Sequence, residues 1–83
     1  MTDIRPEFIK HTPLHPNASY SKLLSSNIYF KREDLQTTRS FKIRGATHKI
    51  LNLTEEQKDR GIVTCSAGNH AQGVAYACRA FGI

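Results

Sequence analysis

The stretch IVTCSAGNHAQGVAYACRAFGI, Ile62 to Ile83, decides the fold class. Its first four residues, Ile62–Cys65, are apolar or β-branched without alternation, which is typical of a strand covered on both faces. A turn of small and polar residues follows. Apolar residues then recur at the spacing of one helix face: Ala71, Val74, Ala75, Cys78 and Phe81. Gly82 predicts the end of this helix. A strand, a turn and a helix, followed by Ile83 as the start of another strand, predict an α/β fold with parallel strands.

The first 26 residues predict two short helices separated by an extended segment. A helix over residues 3–10 would end before HTPLHPN (residues 11–17), because each proline removes a backbone donor and favours extended geometry in the residue before it. Residues 18–26 predict a second helix, with Leu23 and Leu24 facing inward.

The middle of the chain predicts one strand and two further helices. Residues 27–33 (NIYFKRE) predict a strand, because an Ile-Tyr-Phe run favours β-structure. Ser40 predicts the N-cap of a longer helix. The inward face of that helix is Ile43, Ala46, Thr47, Ile50 and Leu51. Thr54 and Gln57 have the spacing of a capping box for a second, short helix that ends at Gly61.

Length and charge limit the classes of function. The chain of 83 residues suits one small domain or part of a larger one. Because it closes on a helix and the start of a strand, we expect it to be the N-terminal piece of a longer protein. The net charge of +5 comes from scattered bases that are not interleaved with aromatic residues, so we expect no nucleic-acid partner. The N-terminus lacks an apolar run, so we expect no signal peptide, no membrane anchor and a cytoplasmic location.

The histidines and cysteines lack the spacing of a metal site, and we expect no metal. Cys65 and Cys78 form no C-x-x-C pair, and His11 and His15 flank a proline that prevents one helix from presenting both. We interpret the two cysteines as buried thiols in a reducing compartment. A nucleophilic pair of Cys65 and His70 is disfavoured, because a buried thiol is inert.

The turn Ser66-Ala67-Gly68-Asn69 lies where α/β proteins bind ligands, beyond the carboxyl end of a predicted strand and at a helix N-terminus. Gly68 lets the backbone approach a ligand closely, and the free N–H groups of the first helical turn favour an anion. Ser66 and Asn69 would add hydrogen bonds to that anion. Alternatively, one of these two side chains simply caps the helix. Both interpretations remain open from the residues alone.

Lys42, in the stretch RSFKIRGA (Arg39–Ala46), is the candidate for covalent chemistry. It lies near a predicted helix N-terminus, where the helix dipole disfavours a cation, and Phe41 and Ile43 flank it. An apolar setting would favour the neutral amine that Schiff-base chemistry requires. A solvated lysine without a special role is the alternative that these residues leave open.

Two segments together resemble the threonine dehydratases. They are KREDLQTTRSFKIRGA (residues 31–46) and TCSAGNHAQGVA (residues 64–75), and TPL at Thr12–Leu14 is similar to the family's N-terminal signature. Threonine dehydratases are fold type II enzymes, similar to the β subunit of tryptophan synthase, that depend on pyridoxal 5′-phosphate. The resemblance implies the N-terminal fragment of such an enzyme, with a three-layer αβα architecture and parallel strands.

The resemblance implies a role for each matching residue. Lys42 would form the Schiff base with pyridoxal phosphate, Phe41 would pack against the cofactor, and Asn69 would contact its 3′-oxygen. The loop that would hold the substrate carboxylate is Ser66, Ala67, Gly68, Asn69 and His70. Residues 1–60 would belong to the larger domain, and residues 61–83 would form the first strand and helix of the smaller one. The phosphate-binding loop and the group facing the pyridine nitrogen are expected outside this chain.

The implied reaction converts L-threonine to 2-oxobutanoate and ammonia, and L-serine to pyruvate, with Lys42 as the base at Cα. Arg39, where many relatives have glycine, is more similar to the biosynthetic dehydratases, which begin isoleucine biosynthesis. The expected partners are a small amino-acid substrate and further copies in a homo-oligomer, and the 83-residue piece alone is expected to be inactive. Two alternatives are a serine racemase or another β-eliminating relative, and a small basic binding module without catalysis.

Overall fold

The structure is a computed structural model that describes residues 6–83. Its elements in chain order are β1 (Leu14–Pro16), α1 (Ala18–Leu24), β2 (Tyr29–Lys31), a 3₁₀ turn (Glu33–Leu35), α2 (Lys42–Leu51), α3 (Glu55–Arg60) and α4 (Asn69–Phe81). Two contacts organise these elements: β1 pairs with β2, and α2 packs on α4. None of the described helices is long and apolar enough to cross a membrane.

The strands β1 and β2 form a two-stranded antiparallel sheet in which His15 lies opposite Phe30. Helix α1 lies in the connection between them. Asn17 caps this helix, because its side-chain oxygen accepts a hydrogen bond from the backbone N–H of Tyr20 at 2.8 Å. The strand predicted over residues 27–33 is therefore confirmed in its centre, and the proline segment before α1 is extended rather than helical.

The prediction that Leu23 and Leu24 face inward is wrong. Their side chains are 73% and 58% exposed, and no residue of the seven-residue helix α1 is buried. The pattern of two adjacent leucines predicts an apolar face but carries no information about a partner surface. Among the described residues, nothing covers this face of α1.

The core lies between α2 and α4. Its apolar cluster is Ala46, Ile50, Val74 and Ala77. Ile43 is fully buried in the first turn of α2, at 0% exposure. The inward face predicted for α2 is confirmed except at Leu51, the last residue of the helix, which is 40% exposed.

The buried face of α4 matches the predicted one in part: Val74 is buried, and Cys78 and Phe81 pack partly buried against the core. The buried residues are Gly73, Val74 and Ala77, whereas Ala75 is exposed. A Cβ placed on Gly73 would lie 3.1 Å from the backbone nitrogen of Ile43, so the backbones of α4 and α2 approach closely there. A pattern that weighs only apolar side chains gives a glycine no weight, and it therefore misses the closest point of the contact.

Helix α3 begins with the predicted capping box. The Thr54 hydroxyl accepts a hydrogen bond from the backbone N–H of Gln57 at 3.1 Å, and the Gln57 side chain accepts one from the backbone N–H of Thr54 at 2.9 Å. Gly61 follows the helix at a φ of 82°, a conformation that glycine adopts without strain. Both predicted ends of this helix are confirmed.

The strand predicted at Ile62–Cys65 does not form. The segment is irregular, and Val63 is 98% exposed. A strand needs a neighbour to take its backbone hydrogen bonds, and the sheet that the structure describes contains only β1 and β2. The predicted parallel pairing is therefore absent among the described residues. The burial predicted for Cys65 is also wrong, because its side chain is exposed.

The predicted helix over residues 3–10 falls partly on residues 1–5, which lie outside the described residues. In the described part, Glu7–Ile9 form a turn instead of a helix. Ile9 is 4% exposed, so the turn is held against the rest of the chain and not free in solvent.

Phe8, within this turn, contacts both the last helix and the loop before α2. Its ring centroid lies 5.1 Å from that of Tyr76 and 6.0 Å from that of Phe81, both on α4. Its carbonyl oxygen accepts a hydrogen bond from the Thr37 hydroxyl at 2.8 Å. The beginning of the described chain is therefore joined to its end.

Candidate active site

Lys42 is the first residue of α2, and its side chain is exposed. Its Nζ atom lies 5.0 Å from the centroid of the Phe41 ring, a cation–π distance. Phe41 is itself 59% exposed, so the two side chains form an open surface. The exposure agrees with the solvated lysine of the alternative interpretation. It also leaves the amine accessible to a reactant.

Ser40 caps α2 only weakly, and the helix begins at Lys42, one residue later than predicted. The cap position belongs to Phe41, whose backbone has helical angles (φ −75°, ψ −13°) and whose side chain makes no cap hydrogen bond. The Ser40 hydroxyl accepts a long hydrogen bond of 3.4 Å from the backbone N–H of Lys42. Because Phe41 already has helical angles, the Ser40 hydroxyl accepts from the N–H two residues on, as an N-cap side chain does, although the bond is long.

The loop Ser66–His70 leads into α4 without a side-chain cap. The Ser66 hydroxyl accepts a hydrogen bond from the backbone N–H of Gly68 at 3.3 Å, which stabilises the loop. Gly68 holds the cap position and Asn69 is the first helical residue, with its side chain exposed. The alternative in which Ser66 or Asn69 caps α4 is therefore wrong. The first-turn N–H groups of α4 therefore have no side-chain cap among the described residues.

Gly73 brings these two segments together. A Cβ at position 73 would lie 3.2 Å from the carbonyl carbon of Lys42 and 3.1 Å from the nitrogen of Ile43. Asn69 precedes Gly73 by one helical turn, and residues four apart share a helix face. The face of α4 that carries Asn69 therefore meets α2 at the residue that carries the candidate amine. Spacing in the sequence gave no signal for this contact beyond the presence of a glycine within a helical pattern.

His70 lies apart from this contact. It lines a cleft of about 400 Å³ between α2, α3, the segment after α3 and α4. Its lining also includes the basic residues Lys49 and Arg60 and the apolar residues Ile50 and Val74. Neither Lys42 nor Asn69 lines this cleft.

A polar network beside Lys42 is the feature that sequence reasoning largely missed. Arg44 donates hydrogen bonds from Nε and Nη2 to the two carboxylate oxygens of Glu33. Glu33 also accepts hydrogen bonds from the Thr12 hydroxyl and the Gln36 amide. The guanidinium of Arg44 lowers the pKa of Glu33 to about 2, and Glu33 in turn raises the pKa of Arg44. Arg44 lies in the RSFKIRGA stretch, but nothing in that stretch indicates Glu33 as its partner.

The described residues contain no metal cluster, and the Cys78 thiol is disfavoured as a nucleophile, whereas Cys65, directly before the loop, is exposed. Among residues 6–83, no three His, Cys, Asp or Glu side chains lie together in a way that could hold a metal ion. Burial raises the pKa of the Cys78 thiol, which disfavours its reactive thiolate form.

A family model described as "Pyridoxal-phosphate dependent enzyme" matches residues 6–83. The chain belongs to this family. The predicted fold class, an α/β fragment of a fold type II pyridoxal-phosphate enzyme, is thereby confirmed, although its parallel strand pairing is not formed among the described residues. The cofactor of the family is pyridoxal phosphate, as predicted.

Curated proteins similar to this chain have the names of threonine dehydratases and ammonia-lyases. The chain is 54% identical over 77 residues to L-threonine dehydratase biosynthetic IlvA of Bacillus subtilis, covering 93% of this chain and 18% of that protein. It is 52% identical over 75 residues to L-threonine ammonia-lyase of Thermotoga maritima, covering 90% and 19%. The chain thus spans less than a fifth of the length of these two relatives.

Two solved structures of the family are similar in backbone. The processed form of threonine deaminase isoform 2 from Solanum lycopersicum has a TM-score of 0.80 and 46% identity, over 88% of this chain and 20% of that one. Maize serine racemase has a TM-score of 0.82 and 40% identity, over 89% and 23%. The fold is therefore common to an enzyme named for deamination and one named for racemisation.

The residues present fit one end of pyridoxal phosphate. In the part of the chain that the structure describes, the Lys42 ammonium has the Phe41 ring as its neighbour and no hydrogen-bond partner. An accessible amine suits an aldehyde, an aromatic ring suits a pyridine ring, and the Asn69 carboxamide suits a phenolic oxygen. No residue of this chain is assigned to the phosphate end.

Proposed function

We propose that this chain carries the cofactor-attaching lysine and the substrate-binding loop of a threonine dehydratase. The contact of Gly73 with the backbone of Lys42 and Ile43 carries the proposal, because it brings the two functional segments together. Identity above 50% to proteins named threonine dehydratase and threonine ammonia-lyase supports the choice of substrate. The proposed reaction is the conversion of L-threonine to 2-oxobutanoate and ammonia, and of L-serine to pyruvate.

Each residue has a proposed task. Lys42 would hold the cofactor through its Nζ atom, with Phe41 against the ring and Asn69 as a hydrogen-bond donor. Once its nitrogen is free, Lys42 takes the proton from the substrate Cα, since a neutral amine is a suitable general base. When bound, pyridoxal phosphate supplies an electron sink for the carbanion that this proton transfer leaves.

The loop Ser66–His70 would bind the substrate carboxylate. Its side chains are exposed, the N-terminus of α4 has no side-chain cap, and a helix N-terminus carries partial positive charge. A carboxylate at these N–H groups would orient Cα towards α2. The loop thus binds and orients the substrate, and Lys42 moves the proton.

The domain division, the location and the assembly belong to the same proposal. Residues 1–60 would form part of a larger domain and residues 61–83 the start of a smaller one. In this arrangement α2 and α4 meet at the boundary, which is where fold type II resemblance puts the cofactor. We further propose a cytoplasmic homo-oligomer acting in isoleucine biosynthesis, in keeping with the names of the biosynthetic relatives.

The cofactor assignment is tested by trapping. The full-length protein is mixed with pyridoxal phosphate and reduced with borohydride, and its peptides are analysed by mass spectrometry. A pyridoxyl group on the Lys42 peptide is the expected result, and Lys42→Ala should lose both this adduct and activity. Lys49→Ala is the matched control, since Lys49 is an exposed lysine on the same helix. Labelling of Lys49 instead of Lys42 would refute the assignment.

The reaction is tested separately, by the products formed from L-threonine and L-serine. We expect 2-oxobutanoate from threonine and pyruvate from serine. D-serine as the main product would instead identify a racemase, the alternative that the curated relatives do not favour. Strongly salt-dependent binding of RNA or DNA, without labelling of Lys42, would favour a binding module.

A further inference from the structure

The carboxylate of Glu33 is held by three side chains. Arg44 binds both of its oxygens in a bidentate pair, and Thr12 and Gln36 donate further hydrogen bonds. The Glu33 side chain is only 16% exposed, and Thr12 and Gln36 are 6% and 2% exposed. The arrangement is charge-assisted and partly buried: the Glu33 carboxylate is mostly covered, whereas the Arg44 side chain is 36% exposed.

The same network extends to the backbone of the N-terminal segment. The Gln36 side chain accepts a hydrogen bond from the Lys10 N–H at 2.9 Å and donates one to the Lys10 carbonyl at 3.0 Å. Arg44 donates to the same carbonyl at 3.2 Å. Arg44 is therefore fixed at two points, a carboxylate and a backbone carbonyl, that both lie outside α2.

Arg44 is the third residue of α2, within the same helical turn as Lys42. A second contact also holds this turn, the close approach of the Ile43 backbone to Gly73 on α4. Lys42 itself has no hydrogen-bonding support for its side chain among the described residues, where the Phe41 ring is its neighbour. The position of its amine therefore depends on how well the first turn of α2 is held.

We propose that Glu33 is a positioning residue for Lys42, acting through Arg44 on the first turn of α2. The proposal rests on the proposed function of Lys42 as the cofactor-attaching residue. Glu33 does not contact the reactants. It sets the direction from which the Lys42 amine meets the aldehyde and, later, the substrate Cα. Misplacement of a reacting group by about 1 Å costs about a hundredfold in rate, so loss of this support is measurable.

The test compares how fast Lys42 reacts with pyridoxal phosphate in variants of the full-length apoprotein. Samples are quenched with borohydride at fixed times, and the pyridoxyl adduct on the Lys42 peptide is quantified. Glu33→Gln keeps the shape of the side chain and removes its charge. We expect its labelling rate and kcat to fall about 10- to 100-fold, with KM within about twofold of wild type. Arg44→Lys keeps the charge but loses the bidentate geometry, so its labelling rate and kcat should also fall.

Asp34→Asn is the matched control. Asp34 forms a similar pair with Arg32, at 2.7 Å, but its side chain is 58% exposed against 16% for Glu33, and neither residue lies on α2. This variant loses a carboxylate–guanidinium pair next to Glu33 and should label at the wild-type rate. A partial recovery in Glu33→Asp, which restores the charge, would support a positioning role.

Three outcomes overturn the proposal. Labelling of Glu33→Gln at the wild-type rate, in folded protein, removes the positioning role and leaves the function of Lys42 intact. A slower rate that only follows the unfolded fraction, judged by circular dichroism of the same samples, reduces Glu33 to a stabilising residue. Absence of the Lys42 adduct in the wild type refutes the proposed function, and the positioning role fails with it.

Discussion

The backbone nitrogen of Ile43 lies 3.1 Å from the place that a Cβ on Gly73 would occupy. The other two atoms near that place are the Cα of Ile43 and the carbonyl carbon of Lys42, each at 3.2 Å. All three are backbone atoms of α2, and none can move aside as a flexible side chain would. The separation of α2 and α4 at the candidate site is therefore set by the absence of a side chain at position 73.

Gly73→Ala should destabilise the protein and slow the reaction of Lys42. The added methyl group forces α4 away from α2, and such overpacking costs about 1–3 kcal/mol of the free energy of unfolding. Urea denaturation measures this loss, and borohydride trapping measures the effect on Lys42. Gly45→Ala is the control, because a Cβ there meets no atom within 4 Å. It should stabilise α2 by about 0.5–1 kcal/mol. Equal stability of the two variants would contradict the close contact.

Arg39→Gly should raise the free energy of unfolding by about 0.5–1 kcal/mol. Arg39 has a φ of 64°, a left-handed conformation that costs an L-residue about 1–2 kcal/mol. Glycine removes this cost. The greater entropy of its unfolded chain, however, offsets about half of the resulting gain in stability. Arg39→Ala keeps the Cβ and should leave the stability unchanged, and the β-branched Arg39→Val should lower it. Equal stabilisation by alanine would locate the effect in the arginine side chain and not in the backbone.

Thr47→Val should stabilise the protein by about 1 kcal/mol. The Thr47 side chain is 2% exposed, and its hydroxyl oxygen is buried without a hydrogen-bond partner in the described part of the chain. Replacing an unpaired buried hydroxyl by a methyl group removes a desolvation cost. Thermal and urea denaturation measure the change. Thr47→Ser keeps the hydroxyl, loses the methyl group and should destabilise by about 1 kcal/mol. Destabilisation by valine would mean that the hydroxyl is paired.

The ion pair of Glu33 and Arg44 should make stability depend on pH in the acidic range. Arg44 lowers the pKa of Glu33 from its ordinary 4.5 to about 2 in the folded chain. Because the folded state holds the charged form, the stabilisation is present in full above about pH 5 and is lost as the pH falls towards about 2. Allowing for solvent screening, the loss is on the order of 1 kcal/mol.

Urea denaturation at neutral and acidic pH measures this dependence. Glu33→Gln should lower the free energy of unfolding at neutral pH and flatten its decrease in acid. Asp34→Asn should have a smaller effect, since Asp34 is exposed, although Arg32 lowers its pKa as well. If the free energy of unfolding of Glu33→Gln falls with decreasing pH as steeply as that of the wild type, the acid sensitivity belongs to other carboxylates.

Local structure was largely predictable from the sequence, because its signals are local. The capping box of Thr54 and Gln57 and the glycine stops of α3 and α4 each depend on residues within one turn. Two predictions failed: a strand at Ile62–Cys65 and a buried position for the leucines of α1. Both would require a partner surface elsewhere in the chain. A strand and an exposed apolar segment have the same composition until a neighbour is present.

The candidate site was predictable only in its parts. The resemblance predicts functional roles for Lys42 and Ser66–His70, and the structure adds how the two segments meet. Their contact depends on Gly73, because the absence of a side chain there lets α4 approach the backbone of α2. The support of α2 depends on Glu33, which lies eleven residues before Arg44 in the chain, beyond the reach of any helical or strand period.

The ring of Phe8 has a consequence for synthesis. Its partners Tyr76 and Phe81 lie close to the other end of the described chain, so this contact closes a very long loop and forms late. On the ribosome, Phe8 emerges first and remains uncovered until α4 has left the exit tunnel. During that interval it is an exposed aromatic ring on an incomplete chain, the kind of surface that chaperones bind. Docking of α4 then both covers Phe8 and brings Gly73 against the first turn of α2.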